Sequence, residues 1–142
     1  MRNLALLLDT NVVMNYILER PNGFEDAQFL FDCCQKGTIN GYLAFHSVSI
    51  IWYALRKKPV DERRSVLLRI CKLLTVIGAS HHDVVQAILN DDFKDFEDCL
   101  QEKCAVAAGA DYIVTENKKD FFLSVIPAVT THEMRLILKE QE

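Results

Sequence analysis

No stretch of this chain is apolar for the roughly 20 residues a membrane-crossing helix needs. The first apolar run, LALLL at 4–8, passes straight into Asp9 with no cleavage-like site behind it. The expectation is a cytosolic protein with no membrane contact. A disulfide framework is also missing: the cysteines, Cys33, Cys34, Cys71, Cys99 and Cys104, are odd in number and contain no CxxC pair. Free, buried thiols are expected instead, and a zinc site built from Cys99, Cys104, His81 and His82 lacks the paired spacing such sites use. Excess positive charge is absent as well. The net charge of −4 excludes a protein that holds nucleic acid by bulk electrostatics alone. There is no internal repeat, low-complexity tract or linker, so residues 1–142 read as one domain with enough length for a real core.

Seven of the sixteen basic residues lie close together. Arg56, Lys57, Lys58, Arg63, Arg64, Arg69 and Lys72 fall within seventeen positions, against Asp61 and Glu62 alone. This stretch is either a solvated helical face or a surface that meets phosphates.

The apolar pattern alternates between short strands and longer helices. LALLL (4–8) is a short run of the kind buried on both faces, and VVMNYILE behind it returns to helical periodicity. FEDAQFLFDCCQKG sets Phe24, Ala27, Phe31 and Cys34 at helical spacing and stops at Gly37, a good C-cap. Strands are expected at 41–45, 75–78, 111–115 and 128–130. HSVSIIWYALRKK reads as a helix halted before Pro59, and VDERRSVLLRICKLL as an amphipathic one burying Val66, Leu67, Ile70, Cys71 and Leu74. Ser80 and Asp83 form a capping pair for the next helix. FEDCLQEKCAVAAG lines Phe96, Leu100, Cys104 and Ala107 on one side before Gly109, and a terminal helix starts at a Thr cap. No Asn-Gly hairpin signal lies between paired runs, so the elements imply an α/β domain around a parallel sheet.

Ligands of open parallel sheets gather outside the carboxyl ends of the strands, and Asp9 stands at such an end. DYIVTENKKDF repeats the pattern: an apolar strand runs into Thr115, Asn117 and Asp120. Asp98 falls in the first turn of a helix expected beside the sheet. Each acid has a local explanation, as a helix cap, a helix N-terminal charge or a turn residue. Together, three acids at one sheet edge repel unless a cation lies between them, and such oxygen-rich clusters suit Mg²⁺ or Mn²⁺. A divalent ion held in this way can polarise a phosphodiester and activate water.

Four stretches then resemble PIN domains, and more closely the small bacterial and archaeal type related to VapC toxins: LLLDTNVVMNYILER, FHSVSIIWYALRK, DFEDCLQEKCAVAAGADYIVTENKKDF and IPAVTTHE. The third is the most specific, with DFEDxxQ, a small-residue helix, GADYIVT and NxxDF in order. The resemblance implies a three-layer α/β/α sandwich with a central parallel sheet, a Mg²⁺- or Mn²⁺-dependent endoribonuclease acting on RNA, and a partner antitoxin. A homodimer is a family habit. By position it makes Asp9, Asp98 and Asp120 the metal-holding acids, Asn117 the neighbour of Asp120, and Thr115 the hydroxyl that orients them. One departure stands out, because the middle helix carries Ile50 where many active relatives have a glutamate. His46 lies one turn earlier on nearly the same face, and Asn15 replaces another frequent acid.

Two functions follow as expectations: a metal-dependent ribonuclease of the kind that serves as the toxin of a toxin-antitoxin pair, or a PIN fold with reduced catalysis that binds RNA or protein. A phosphoacceptor domain of the receiver type is a third reading, weakened because its acidic pair, Asp91 and Asp92, comes too late in the order.

Overall fold

The computed structural model describes residues 2–141. Five parallel strands run in the order β3-β2-β1-β4-β5: β1 (Leu4–Leu8), β2 (Ile39–Ala44), β3 (Thr75–Ile77), β4 (Tyr112–Val114) and β5 (Ala128–Val129). The helices are α1 (Thr10–Ile17), α2 (Phe24–Lys36), α3 (Phe45–Ala54), α4 (Val60–Leu73), α5 (His81–Leu89), α6 (Phe96–Ala108) and α7 (Thr131–Glu140). A short 3-10 turn occupies Lys118–Phe121.

Side chains on successive strand residues point to opposite faces, and β1 supplies both. Leu6 and Leu8 enter a core shared with Val12 and Val13 of α1, Leu30 and Phe31 of α2, Ile51 of α3, Ile70 of α4 and Met134 of α7. Leu7 faces the other way, against Cys104 and Ala105 of α6, with Ile113 and Phe121. The α5 helix packs on α6. This is the expected α/β/α sandwich, and it explains why LALLL is apolar at every position.

Local signals place the helix ends. Gly37 and Gly109 terminate α2 and α6 at φ +76° and +65°, a conformation that costs a glycine little. Ser80 with Asp83, and Thr130 with Glu133, close reciprocal capping boxes on α5 and α7.

Several boundaries differ from the sequence reading. The second strand begins at Ile39, not 41, so Asn40-Gly41 lies inside it. A Cβ on Gly41 would come within 2.6 Å of Leu74 Cδ2 and 2.8 Å of Cys34 Sγ, and the close approach of α2 and α4 to the sheet selects glycine there. The α3 helix stops at Ala54, four residues before Lys58, because Leu55 is drawn into the core and the chain turns through Arg56–Lys58. Cys71 is exposed, not buried: α4 buries only a narrow stripe through Ile70, and a step of one residue rotates about 100° around a helix. On α6 the expected stripe holds at Cys104 and fails at its ends, since Phe96 and Ala107 are exposed while Cys99, Gln101, Glu102 and Ala105 are buried beside Cys104. No helix among the described residues is long and apolar enough to cross a membrane.

Candidate active site

Leu8 pairs with Val114 in the central part of the sheet, so Asp9 and Thr115 leave neighbouring strands side by side. The chain from β1 returns to β2 on one flank, while β4 lies on the other, and this split opens a crevice at the carboxyl ends. Asp9 is 7% exposed and uses its two oxygens differently. Oδ1 accepts from the Thr10 N–H at 2.8 Å, capping α1, while Oδ2 accepts from the Thr115 hydroxyl at 2.8 Å. Cap and site residue are therefore the same carboxylate.

The Thr115 side chain is fully buried, and its oxygen also accepts from the Asn117 N–H at 3.1 Å. Asn117 in turn donates through Nδ2 to Asp120 Oδ2 at 2.5 Å. Four of the five sequence-nominated residues thus form one hydrogen-bonded chain across two loops.

Asp98 reaches the same place from α6. Its N–H and that of Glu97 both point at Asp95 Oδ1, the N-cap of the helix, and carboxylate oxygens of Asp95, Glu97 and Asp98 lie within 4.8 Å of one another. Asp98 and Asp120 line a common cleft of about 360 Å³ with Asp95, Lys94, Lys119 and Phe122.

This crowding changes proton affinity. Burial, against the Thr115 hydrogen bond, raises Asp9 from 3.8 to about 6, with the charges of Glu97 and Asp120 adding to the rise. Asp98 is raised to about 7, first by burial and then by the negative charges of Glu97, Asp9, Asp95 and Asp120. The acids named from the sequence feel one another and belong to one electrostatic site. Clustered hard carboxylate oxygens, with Asp9 and Asp98 raised in proton affinity, fit a divalent cation.

Hydrophobic patterning misses a second layer, which is polar and buried. Gln101 is 0% exposed, and its Nε2 lies 2.9 Å from Ser47 Oγ, 2.8 Å from Glu97 Oε1 and 3.3 Å from Thr10 Oγ1. Thr10 and Ser47 are 2.7 Å apart. The network links the α1 N-terminus beside Asp9 to α3 and α6. His46 Nε2 meets Glu97 Oε1 at 3.1 Å. Burial alone would lower His46, but bonds to Cys104 and Glu97 outweigh it and raise it to about 9. Burial likewise favours protonation of Glu97, yet bonds from His46 and Gln101 hold its carboxyl below the ordinary value. The only signal for Glu97 and Gln101 in the sequence was the DFEDxxQ spacing itself.

Ile50 is half-exposed on α3, one turn beyond His46. In the basic stretch, Arg63 stacks over Trp52 at 4.5 Å and Arg56 over Tyr53 at 4.3 Å. Part of that charge is therefore engaged in packing.

The same architecture recurs in known proteins. The profile of the PIN domain family matches residues 5–119. Among solved structures, the DNA-bound VapBC of Salmonella typhimurium aligns with TM-score 0.68 and 16% identity, over 90% of this chain and 98% of that one. VapBC2 from Rickettsia felis, bound to a DNA fragment from its promoter, aligns with TM-score 0.65 and 17% identity, over 89% and 98%. The sarcin-ricin loop cleaving toxin VapC20 of Mycobacterium tuberculosis aligns with TM-score 0.58 and 13% identity, over 76% and 86%. No curated protein matches the sequence.

Proposed function

This chain belongs to the PIN domain family, and from that premise we propose that it is a Mg²⁺- or Mn²⁺-dependent endoribonuclease, the toxin of a toxin-antitoxin pair. In this reading residues 1–142 form one cytoplasmic PIN-like domain that pairs with a second copy and is restrained by an antitoxin. The observation that carries the nuclease assignment is the linked chain Asp9–Thr115–Asn117–Asp120 facing Asp98. The toxin assignment draws support from the VapBC complexes among the structural neighbours.

Asp9, Asp98 and Asp120 would hold the ion, with Glu97 as a further carboxylate at the same helix end. When bound, the ion supplies polarisation of the phosphodiester and a lowered pKa for water. The chain's own groups do the rest. Thr115 fixes Asp9 by occupying one oxygen, Asn117 fixes Asp120, and Gln101 and His46 keep Glu97 ionised and in place. Each acid is thereby preorganised by a neighbour. Asp98, raised to about 7, must lose its proton to ligate, so metal affinity should rise with pH through neutrality.

The test is cleavage of RNA by purified protein with Mn²⁺ or Mg²⁺, compared with chelator and with Asp9→Asn. Loss of cleavage in both controls is expected; equal activity in all three would sink the reading. Ile50 favours a second reading, a PIN fold retained for binding with weak or no catalysis. Calorimetric titration with Mn²⁺ separates the two: binding abolished by Asp98→Asn supports the enzyme, and no heat at millimolar metal supports the module.

A further inference from the structure

Beside the acids, the chain does something that neither the core nor the metal site requires. Phe121 is buried and meets Phe93 edge-on, with ring centroids 6.2 Å apart. The adjacent Phe122 is 84% exposed, and Leu123 and Val125 are exposed with it. This segment is not loose. The Ser124 N–H donates to the Phe121 carbonyl at 3.0 Å, the Ile126 N–H to Ser124 Oγ at 3.1 Å, and the Val125 N–H to Oε2 of buried Glu102 at 2.9 Å. Phe122 is therefore held out into water on a fixed mount, and an aromatic so displayed marks a binding surface.

Its surroundings say what binds. Phe122 and Leu123 line the same cleft as four acids, Asp92, Asp95, Asp98 and Asp120, whose charge the proposed ion would offset, with Lys94 and Lys119 as its basic groups. Among the described residues neither of those lysines forms an ion pair, whereas Lys118 is taken by Glu133 at 3.0 Å. A protein segment laid on Phe122 would have to desolvate the lysines and acids around it, at a cost that only matched charges could offset. A nucleotide brings an aromatic face for the ring and an anionic phosphate for each lysine in one unit.

We infer that Phe122 is a base-stacking platform for single-stranded RNA, with Lys94 and Lys119 meeting the phosphates on either side of the stacked base. The inference rests on the ribonuclease reading and adds the residues that would hold its substrate. In a duplex each base face is already covered by its neighbour, so a projecting ring finds no free π-face. Stacking of this kind tolerates any base, and it would present a strand to the acids through its backbone instead of its sequence.

The experiment is fluorescence anisotropy with a labelled 2′-O-methyl octauridylate and with a labelled duplex of the same length, the probe checked intact on a gel. Phe122→Ala should weaken single-strand binding on the order of ten-fold, Phe122→Trp should restore it, and duplex binding should be weaker and indifferent to both. Lys119→Ala should lower the slope of log affinity against log salt by about 0.7. Equal single-strand affinity of Phe122→Ala and the parent would overturn the inference and leave the patch as a protein contact. So would a duplex that binds as tightly as the single strand. Failure of RNA cleavage with Phe122-dependent binding intact would instead fall on the nuclease reading alone.

Discussion

Replacing Asp9 by asparagine should stabilise the protein above neutrality and destabilise it in acid, while removing metal-dependent activity. Asp9 is raised from 3.8 to about 6, chiefly by burial. Ionising it in the folded state thus costs about 3 kcal/mol more than in the unfolded chain. The native state binds the proton more tightly, so stability falls as pH rises from about 4 to about 6, and the full cost is present beyond that. Asparagine keeps the shape and removes the charge. It offers one acceptor oxygen where Thr10 N–H and the Thr115 hydroxyl now use two, a loss of about 1 kcal/mol. The variant should therefore be more stable than the parent by about 2 kcal/mol at pH 8 and less stable by about 1 kcal/mol near pH 3. At this chain length the first difference is a rise of roughly 6 °C in Tm. Urea denaturation in EDTA at pH 3, 6 and 8 reads the change of sign. A variant weaker than its parent by the same amount at all three pH values would refute the claim that burial of a charge dominates this position. The general point is that the fold gives up stability to keep a carboxylate where an amide would sit more comfortably, as sites of chemistry often do.

The remaining predictions concern the residues around that carboxylate and one point in the core. Thr115→Val leaves Asp9 Oδ2 and the Asn117 N–H without their partner in a buried place; a loss of about 1–3 kcal/mol in urea denaturation is expected, with weaker Mn²⁺ binding by calorimetry. Glu97→Gln removes a principal charge partner of His46, whose NMR titration midpoint should drop from about 9 toward 6.5. The stabilisation that His46 contributes is fully present below 6.5 and lost as pH rises through about 9, so the variant's deficit should shrink in alkali. Gly41→Ala forces a methyl against Leu74 and Cys34 and should cost about 1–3 kcal/mol by the same denaturation assay, with metal binding unchanged.

The parts of the fold that could be read from the sequence are those where one local force decides. Helix ends at Gly37 and Gly109 depend on left-handed backbone that glycine adopts at little cost, and the Ser80–Asp83 box is a contact within a single turn. LALLL signals burial on both faces because each alternate leucine has its own core. Errors arise where distant packing overrides the local pattern. The expected strand starts at Gly41, yet β2 extends back to Ile39 because Ile39 and Asn40 pair with Leu4 and Ala5 of β1. Cys71 looks like part of an apolar stripe, but the buried line of α4 runs through Ile70 and Cys71 lies about 100° around the helix from it.

The candidate site divides along a similar line. Asp9, Thr115, Asn117 and Asp120 follow strand ends, so the parallel topology is enough to bring them together. Gln101, Ser47 and Thr10 follow no apolar period, and their burial becomes intelligible only from the partners they find in one another and in Glu97. A buried polar side chain is costly unless bonded, so a network this deep next to the acids implies that their placement matters more than the apolar packing it displaces. That bears on Ile50. With no carboxylate arriving from α3 at that position, the same helix still engages the α6 acids through His46 and Ser47, which bond Glu97 and the amide beside it. The helix acts there by holding an acid in place instead of supplying one, and His46→Ala, which releases Glu97 without removing it, should weaken Mn²⁺ binding by calorimetry if that division of labour serves the proposed site.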